Sequence, residues 1–257
     1  MNWALYDLGV NPPSFDYVPF MQLALKSGAD GVRFKKGKNR NIKAFAQTED
    51  ERVRTIILPL VERYGLPHEF VDEVEFLPCY PKNGPIHAHD LKIAELPPKP
   101  FPVMPSQQAL DRANDLFKGK RPIVVTLRRM ELQYQWGRNS GPDWEAWARD
   151  HDAFLIPDYD QGKTSIDDRA AYCELASLNM GVNSGVMILS LCSLRPFLCM
   201  KMLNNEYKVT HPAYLERIGF PVGSQLPWSG KNQKIVWNDK DDYQTIESEF
   251  QKYMSEQ

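Results

Sequence analysis

Apolar and polar positions follow two alternating periods along the first part of the chain. Residues 3–6 form a short apolar run that predicts a buried strand ending at Asp7, and residues 15–26 carry apolar side chains at helical spacing. Gly28 ends this predicted helix, and residues 31–34 resume as a strand. A strand, a helix and a strand in this order predict a βαβ unit, whose two strands run parallel.

The alternation continues with a predicted helix over residues 48–64 and a predicted strand over residues 71–77. Residues 78–105 then hold eight of the chain's 20 prolines, a density that the interior of a helix or of a central strand does not tolerate. This segment therefore predicts a connection that ends an N-terminal domain over residues 1–105. The C-terminal domain then covers residues 106–257.

The second half repeats the pattern of the first. Its periodicity predicts helices over residues 106–117, 143–149, 167–178 and 241–254, strands over residues 122–127, 154–156 and 233–237, and a further helix or strand over residues 186–191. Two halves of this kind predict an α/β protein with two Rossmann-like domains that face one another across a cleft, in a compact version.

Composition and charge narrow the class of protein. With 42% hydrophobic and 25% charged residues the chain is ordinary for a globular protein, and a formal charge of −2 argues against a protein devoted to gripping nucleic acid. A phosphate-bearing ligand and a nucleic-acid acceptor both stay open. The start of the sequence lacks a basic region followed by an apolar core, and no apolar run approaches the roughly 20 residues of a membrane helix. We therefore expect a cytoplasmic protein without a transmembrane segment, whose four cysteines are reduced and mostly buried.

Cationic residues follow the apolar strand that ends at Leu127. Arg128 comes directly after it, and Arg138 follows ten residues later with Asn139 and Ser140 beside it. Loops at the carboxyl ends of parallel strands are where such sheets bind ligands, and guanidinium groups pair well with diphosphate oxygens. The alternative is that Arg128 and Arg138 pair with acidic residues in a solvated loop.

Residues 179–185 predict a second candidate loop, because Gly181 and Gly185 bound a polar run directly before an apolar segment. Backbone N–H groups of Asn183, Ser184 and Gly185 could approach an anion there. The segment is no Walker loop, since no Lys-Ser or Lys-Thr follows Gly185. A plain strand-to-helix turn is the alternative.

Two carboxylates at strand ends are further candidates. Asp158 follows a predicted strand, where it could accept a hydrogen bond from a ribose or sugar hydroxyl, or merely cap a turn. Asp7 ends the first strand, and its position suits a general base that deprotonates a hydroxyl. The alternative for Asp7, and equally for Asp16, is a cap on the following helix.

Two other patterns are weaker. A basic cluster from Arg33 to Lys43 is typical of a solvated surface, or could attract a phosphorylated acceptor. His87 and His89 are two residues apart without a further ligand cluster, so the sequence predicts no metal site.

Taken together, these motifs resemble a group of GT-B-type glycosyltransferases encoded with bacterial or viral surface-sugar genes. The resemblance covers roughly residues 123–250 and is carried by Thr126-Leu127-Arg128, Arg138-Asn139-Ser140, Trp144, Ile156-Pro157-Asp158, residues 179–185, and residues 233–237 with Asp241 or Asp242. Tyr6-Asp7-Leu8 and Ser14-Phe15-Asp16 are similar more loosely. At 257 residues the chain is short for this architecture, which leaves a trimmed N-terminal domain or the loss of transferase activity as alternatives.

The resemblance implies a nucleotide-sugar donor on the C-terminal domain and a glycan or other hydroxyl acceptor on the N-terminal domain. It also implies no cofactor and no bound metal, because basic side chains and helix dipoles stabilise the departing diphosphate. In this hypothesis Arg128, Arg138, Asn139, Ser140, Asn183, Ser184 and Gly185 bind the donor, Asp158 contacts a hydroxyl, and Asp7 is the base. The competing hypotheses are a nucleotide-sugar epimerase or hydrolase of the same fold, and a non-catalytic nucleotide- or glycan-binding protein.

Overall fold

Each half of the chain contributes one parallel β-sheet. The computed structural model describes residues 1–38, 48–129, 137–157 and 164–257. The first sheet has the strand order β1 (Trp3–Asp7), β2 (Gly31–Lys35), β3 (His68–Val71). The second has the order β5 (Phe154–Pro157), β4 (Ile123–Leu127), β6 (Leu178–Val182), β7 (Phe197–Met200), β8 (Gln233–Ile235). Neighbouring strands run parallel in both sheets, so the predicted α/β class is confirmed.

Helices connect these strands. In chain order they are α1 (Tyr17–Lys26), α2 (Glu49–Arg52), α3 (Leu58–Tyr64), α4 (Gln107–Phe117), α5 (Asp143–Asp150), α6 (Ile166–Leu175), α7 (Ile188–Leu191), α8 (Pro212–Arg217) and α9 (Tyr243–Ser255). A π-helical turn over Val53–Ile57 joins α2 to α3, so the helix predicted over residues 48–64 is confirmed with a wider turn in its middle. Thr48 caps its start, and Gly65 ends it in the left-handed conformation, with φ 67°.

In the second sheet, the order in which successive strands are added reverses at β4. The chain passes from β4 to β5 on one side and then returns to β6 on the other side of β4. The loops that leave the carboxyl ends of β4 and β6 therefore diverge and open a crevice, the usual ligand position in a sheet of this kind. Arg128 follows β4 and Asn183 follows β6, so both residues lie at this crevice.

The segment predicted as a candidate loop, residues 179–185, belongs in large part to a strand. Leu178–Val182 is the fully buried central strand β6, and the helix predicted before it ends at Leu175. Gly181 is needed for packing: a Cβ there would lie 2.6 Å from the carbonyl oxygen of Thr126 on β4. Asn179 is also buried, and its side-chain amide is satisfied because it donates to the carbonyls of Cys173 and Pro196. Because β6 contains the polar residue Asn179 and the glycine Gly181, its sequence is typical of a loop.

Three other elements differ from their predictions. The third strand is His68–Val71 rather than residues 71–77, and Leu77 is 88% exposed. Strand β7 and helix α8 were not predicted. Strand β7 is a four-residue run that is buried on both faces, so it has no alternating pattern. The segment predicted as a helix or strand over residues 186–191 contains the short helix α7, so the helical alternative is confirmed.

The apolar core extends through both halves. One cluster of buried side chains includes Tyr6 and Phe20 from the first half as well as Phe197 and Ile235 from the second. Polar contacts cross between the halves too, since Arg63 on α3 contacts Asp167 on α6 at 3.2 Å. The division into domains at residue 105 stays a prediction. The four cysteines are free thiols, and three of them are buried, as predicted.

Candidate functional site

A cavity of about 760 Å³ is lined by residues of both halves. From the first half it receives the loop that follows β1, including Ser14 and Asp16, together with Arg52 on α2. From the second half it receives Arg128 after β4, and Asn183 after β6. The cavity therefore lies at the carboxyl ends of strands from both sheets, where the crevice of the second sheet opens.

Four arginines line this cavity: Arg52, Arg128, Arg138 and Arg169. Arg52, Arg128 and Arg169 are each no more than 5% exposed. Among the described residues that line the cavity, the acidic one is Asp16. Arginine stays protonated in proteins, so this arrangement concentrates positive charge in a largely desolvated space. Such a space suits a ligand with several negative oxygens.

The guanidinium of Arg138 is only partly satisfied by the described residues. It lies over the ring of Tyr207 at 4.7 Å, and its Nη2 donates to the carbonyl of Asn183 over a long 3.4 Å. Its Nε is buried and has no hydrogen-bond partner in the described part of the chain. Burial lowers the pKa of Arg138, and Tyr207 and Asp16 oppose that effect. A buried N–H without an acceptor is costly, so a ligand oxygen at this position would be stabilised.

Arg128 is fixed by the loop that carries Asn139 and Ser140. Its Nη1 donates to Asn139 Oδ1 at 2.7 Å. Its backbone N–H donates to Ser140 Oγ at 2.8 Å, and the Ser140 N–H donates back to the Arg128 carbonyl at 2.9 Å. Asn139 and Ser140 therefore shape the loop and orient Arg128, whereas Arg128 and Arg138 are the side chains of this group that line the cavity.

A buried ion pair supports the same loop from behind. Lys201, directly after β7, contacts Asp241 Oδ1 at 2.8 Å and donates to the Asn139 carbonyl at 2.6 Å. Asp241 Oδ2 accepts from the Gly141 N–H at 2.7 Å and from Trp144 Nε1 at 3.0 Å. One carboxylate thus joins the arginine loop, helix α5 and the end of β7.

Asp16 is the carboxylate that faces the arginines across the cavity. It occupies the N-cap position of α1, but its side chain makes no capping hydrogen bond. Asp16 Oδ2 instead accepts from Ser14 Oγ at 2.9 Å and lies 3.6 Å from His89 Nε2. Burial acts to raise the pKa of Asp16, but His89, Ser14 and Arg138 together outweigh it, so this pKa lies below its ordinary value. The carboxyl group of Asp16 is therefore ionised at neutral pH.

The residues after β6 take different positions. Asn183 and Gly185 line the cavity, and a Cβ at Gly185 would lie 3.3 Å from the ring of Phe15. Ser184 is buried, and its Oγ accepts from the Met187 N–H at 3.3 Å, so it closes the turn before α7.

Asp7 is not among the described residues that line the cavity. It is 5% exposed, its Oδ1 accepts from the Gly9 N–H at 2.8 Å, and its Oδ2 pairs with Lys35 at 3.1 Å. This position gives Asp7 a part in holding the loop after β1, and its role as a base stays a prediction. Asp158 lies outside the described residues.

The basic cluster after β2 is largely paired where the structure describes it. Arg33 pairs with Glu69, Lys35 with Asp7, and Lys36 with Asp72. Arg40 and Lys43 lie outside the described residues. The described part of the cluster fits the prediction of a surface run rather than a phosphate site.

Apolar side chains line the rest of the cavity, around the carboxyl ends of β7 and β8. They include Leu191, Met202, Leu215, Phe220, Leu226 and Ile235. The cavity therefore combines a cationic region with an apolar region, which suits a ligand that has an anionic part and a flat or apolar part.

In the described ranges no group of three or more His, Cys, Asp or Glu residues is placed to hold a metal ion. Likewise, no helix within those ranges is long and apolar enough to cross a membrane.

Sequence reasoning missed Arg52, Arg169, His89 and Tyr207 as members of this site. Arg52 stands in a run of charged residues at a helix start, and Arg169 stands in a helix of mixed character. Neither has a local pattern that separates it from a surface arginine. From the sequence, Asp16 is predicted as a helix cap and as part of the looser resemblance, but not as a site residue, although its place in the loop after β1 is a usable signal.

Among the comparisons with known proteins, only the comparison with solved structures finds similar proteins. No family model matches the sequence, and no curated protein matches it. ADP-heptose lipopolysaccharide heptosyltransferase II of Escherichia coli is similar with a TM-score of 0.44 and 12% identity, over 98% of this chain and 76% of that one. The iron-containing dodecameric glycosyltransferase TibC of enterotoxigenic E. coli gives 0.46 and 12%, over 95% and 65%. A family 9 glycosyl transferase of Veillonella parvula gives 0.45 and 9%, over 100% and 98%.

These three proteins are glycosyltransferases, the class that the sequence motifs resemble. The chain spans about two thirds of the length of TibC. With TM-scores below 0.5, these similarities carry no argument about the chemistry of this chain, which depends on the cavity itself.

Proposed function

We propose that this chain is a glycosyltransferase of GT-B type that moves a sugar from a nucleotide diphosphate donor to an acceptor hydroxyl. The observation that carries the proposal is the placement of buried arginines opposite the ionised carboxylate of Asp16, at the carboxyl ends of two parallel sheets. Transfer from such a donor needs positive charge on the departing diphosphate and a base for the incoming hydroxyl. The cavity offers both.

The donor's diphosphate is proposed to lie against Arg128 and Arg138, with the buried Nε of Arg138 as one donor. Asn139 and Ser140 orient Arg128, while Asn183, Ser184 and Gly185 shape the neighbouring wall. The apolar region near β7 and β8 would take the nucleobase. Asp158 is retained as a contact for a ribose or sugar hydroxyl.

Asp16 is proposed as the base, with Asp7 as the alternative. In the transfer step the acceptor proton moves to the Asp16 carboxylate, and the freed electron pair of the acceptor oxygen forms the new bond to the anomeric carbon. The bond between that carbon and the phosphate oxygen breaks, and the diphosphate leaves with its electrons. Guanidinium groups stabilise the leaving charge, so we propose that the reaction needs no metal or other cofactor. We place the reaction in the cytoplasm, with a glycan or another hydroxyl compound, nucleic acid included, as the acceptor.

The first test measures nucleotide binding. Thermal shift and calorimetry with ADP, GDP, UDP, dTDP and their sugars should find a ligand that raises the melting temperature. Arg128→Ala and Arg138→Ala should each weaken its binding by roughly 1.5–3 kcal/mol, because each removes a charge-assisted contact. Arg112→Ala is the matched control, since it removes an exposed guanidinium that pairs with Asp168 on the surface. Unchanged dissociation constants for both cavity variants would remove these arginines from the site.

The second test separates the competing functions. Asp16→Asn should retain nucleotide affinity and lose transfer, and transfer by the wild type should persist in excess EDTA. Complete loss of transfer in EDTA with rescue by manganese would overturn metal independence. Product formed without an acceptor favours the epimerase or hydrolase, and nucleotide binding without turnover across a broad acceptor panel favours a binding protein.

A further inference from the structure

The two side chains that contact the Asp16 carboxylate meet the same oxygen. Ser14 Oγ donates to Oδ2 at 2.9 Å, and His89 Nε2 lies 3.6 Å from Oδ2. Within the described ranges the structure gives no hydrogen bond or ion pair to Oδ1. Asp16 and His89 each keep 42% of the side chain exposed, so both groups are open to the cavity that they line. One oxygen is thus held and the other is left to a ligand.

His89 reaches Asp16 from a distant segment that is fixed at several points. The strap, which we define as residues 86–93, is anchored by the buried side chain of Asn11: its Nδ2 donates to the Ile86 carbonyl at 2.9 Å, and its Oδ1 accepts from the Ala88 N–H at 2.7 Å. The Tyr214 hydroxyl donates to the His89 carbonyl. The Ile93 N–H donates to the Ile218 carbonyl at 2.9 Å.

These anchors come from both halves of the chain. Asn11 belongs to the loop after β1, which also carries Ser14 and Asp16, whereas Tyr214 belongs to α8. The position of His89 relative to Asp16 is therefore fixed by tertiary contacts, from the loop that carries Asp16 and from the second half of the chain, and not by local sequence. A side chain placed this firmly beside a carboxylate can orient it at little cost in conformational entropy.

From this geometry we infer that His89 is a positioning residue for the base: it holds Oδ2 of Asp16 and leaves Oδ1 to face the acceptor hydroxyl. The inference rests on the proposed function, in which Asp16 takes the acceptor proton. His89 does not receive that proton. Its part is to keep the carboxylate ionised and turned toward the acceptor before the proton moves to Oδ1.

Other charged and titratable groups also surround Asp16. Those that interact with it electrostatically are His87, His89, Arg138, Tyr6 and Tyr214. Arg138 acts in the same direction as His89 and favours the carboxylate. A test of His89 therefore has to compare variants at that one position while the other groups stay in place.

The test is a pH titration of the Asp16 carboxyl by NMR, on the full chain labelled with ¹³C at aspartate carboxyl carbons and without any ligand. Asp16→Asn assigns the signal. In His89→Ala we expect the midpoint to rise, because a nearby N–H donor that favours the carboxylate is lost. In His89→Gln, whose amide can donate but carries no charge, the midpoint should lie between those of the wild type and His89→Ala.

Asp90→Ala is the control for the strap itself, because Asp90 is half-exposed, pairs with Arg217 and does not contact Asp16. Its midpoint should match that of the wild type. An unmoved midpoint in His89→Ala, or an equal rise in Asp90→Ala, would overturn the positioning role. Because the titration uses no nucleotide, a wild type that binds none of the nucleotides tested would overturn the proposed function without changing this result.

Discussion

The buried pair of Lys201 and Asp241 allows a quantitative prediction. Lys201 and Asp241 keep only 12% and 7% of their side chains exposed, and Asp241 accepts two further hydrogen bonds, from Gly141 and Trp144. Asp241→Ala would leave a buried ammonium without its counter-charge and two N–H groups without their acceptor. Breaking a buried ion pair from one side costs about 3–5 kcal/mol.

This loss of unfolding free energy can be converted into a decrease in melting temperature. For a chain of this size, 1 kcal/mol corresponds to about 2–4 °C, so Asp241→Ala should melt roughly 6–20 °C below the wild type. Lys201→Met should cost less, because the carboxylate keeps the Gly141 and Trp144 donors. Asp242→Ala is the matched control at the next position: it removes the exposed N-cap of α9, worth about 1 kcal/mol.

The assay is calorimetric or fluorescence-monitored melting of the three variants, supported by urea unfolding. The expected order of destabilisation is Asp241→Ala, then Lys201→Met, then Asp242→Ala. If Asp241→Ala melted no lower than Asp242→Ala, the carboxylate would not be the support of the arginine loop. The loop argument also requires weaker nucleotide binding by folded Asp241→Ala, since Lys201 and Gly141 hold the segment that orients Arg128.

Two further predictions concern two buried tyrosine hydroxyls and two glycines, one in β6 and one after it. Tyr6→Phe and Tyr17→Phe should leave the free energy of unfolding unchanged or raise it by up to about 1 kcal/mol in urea unfolding, because each hydroxyl is buried without a partner in the described chain; a loss of more than 1 kcal/mol would reveal one. Gly181→Ala should lower the free energy of unfolding by about 1–3 kcal/mol, since the new Cβ would clash with the Thr126 carbonyl. In Gly185→Val the new side chain would meet only the side chain of Phe15, so this variant should lose more nucleotide affinity than stability. If the melting temperature of Gly185→Val is much lower while its folded fraction binds the nucleotide with unchanged affinity, the loop beside Asn183 supports the fold and does not contact the sugar donor.

Local sequence patterns predicted the elements whose signals are local. The periodicity that predicts a helix over residues 106–117 matches the observed helix Gln107–Phe117, and the apolar run that predicts a strand over residues 122–127 matches Ile123–Leu127. Strand β6 was missed for the opposite reason. Asn179 is polar because its side chain donates to the carbonyls of Cys173 and Pro196, and Gly181 is small because the backbone of β4 lies against it. Pro196 and the backbone of β4 lie outside a window of ten residues, so a local pattern does not reveal them.

The two carboxylates after β1 show the same limit at the site itself. Asp7 and Asp16 are both close to the end of that strand, and the sequence offers no rule that selects one as the base. Asp7 lies in register with Lys35 on the parallel neighbour β2, so the sheet supplies a cation that pairs with it. Asp16 begins α1 without capping it, so its carboxylate is free to meet Ser14 nearby and His89 from the strap. What separates a strand-end ion pair from a candidate base is therefore a contact across 28 residues in one case and 73 in the other, and only tertiary packing brings either pair of residues together.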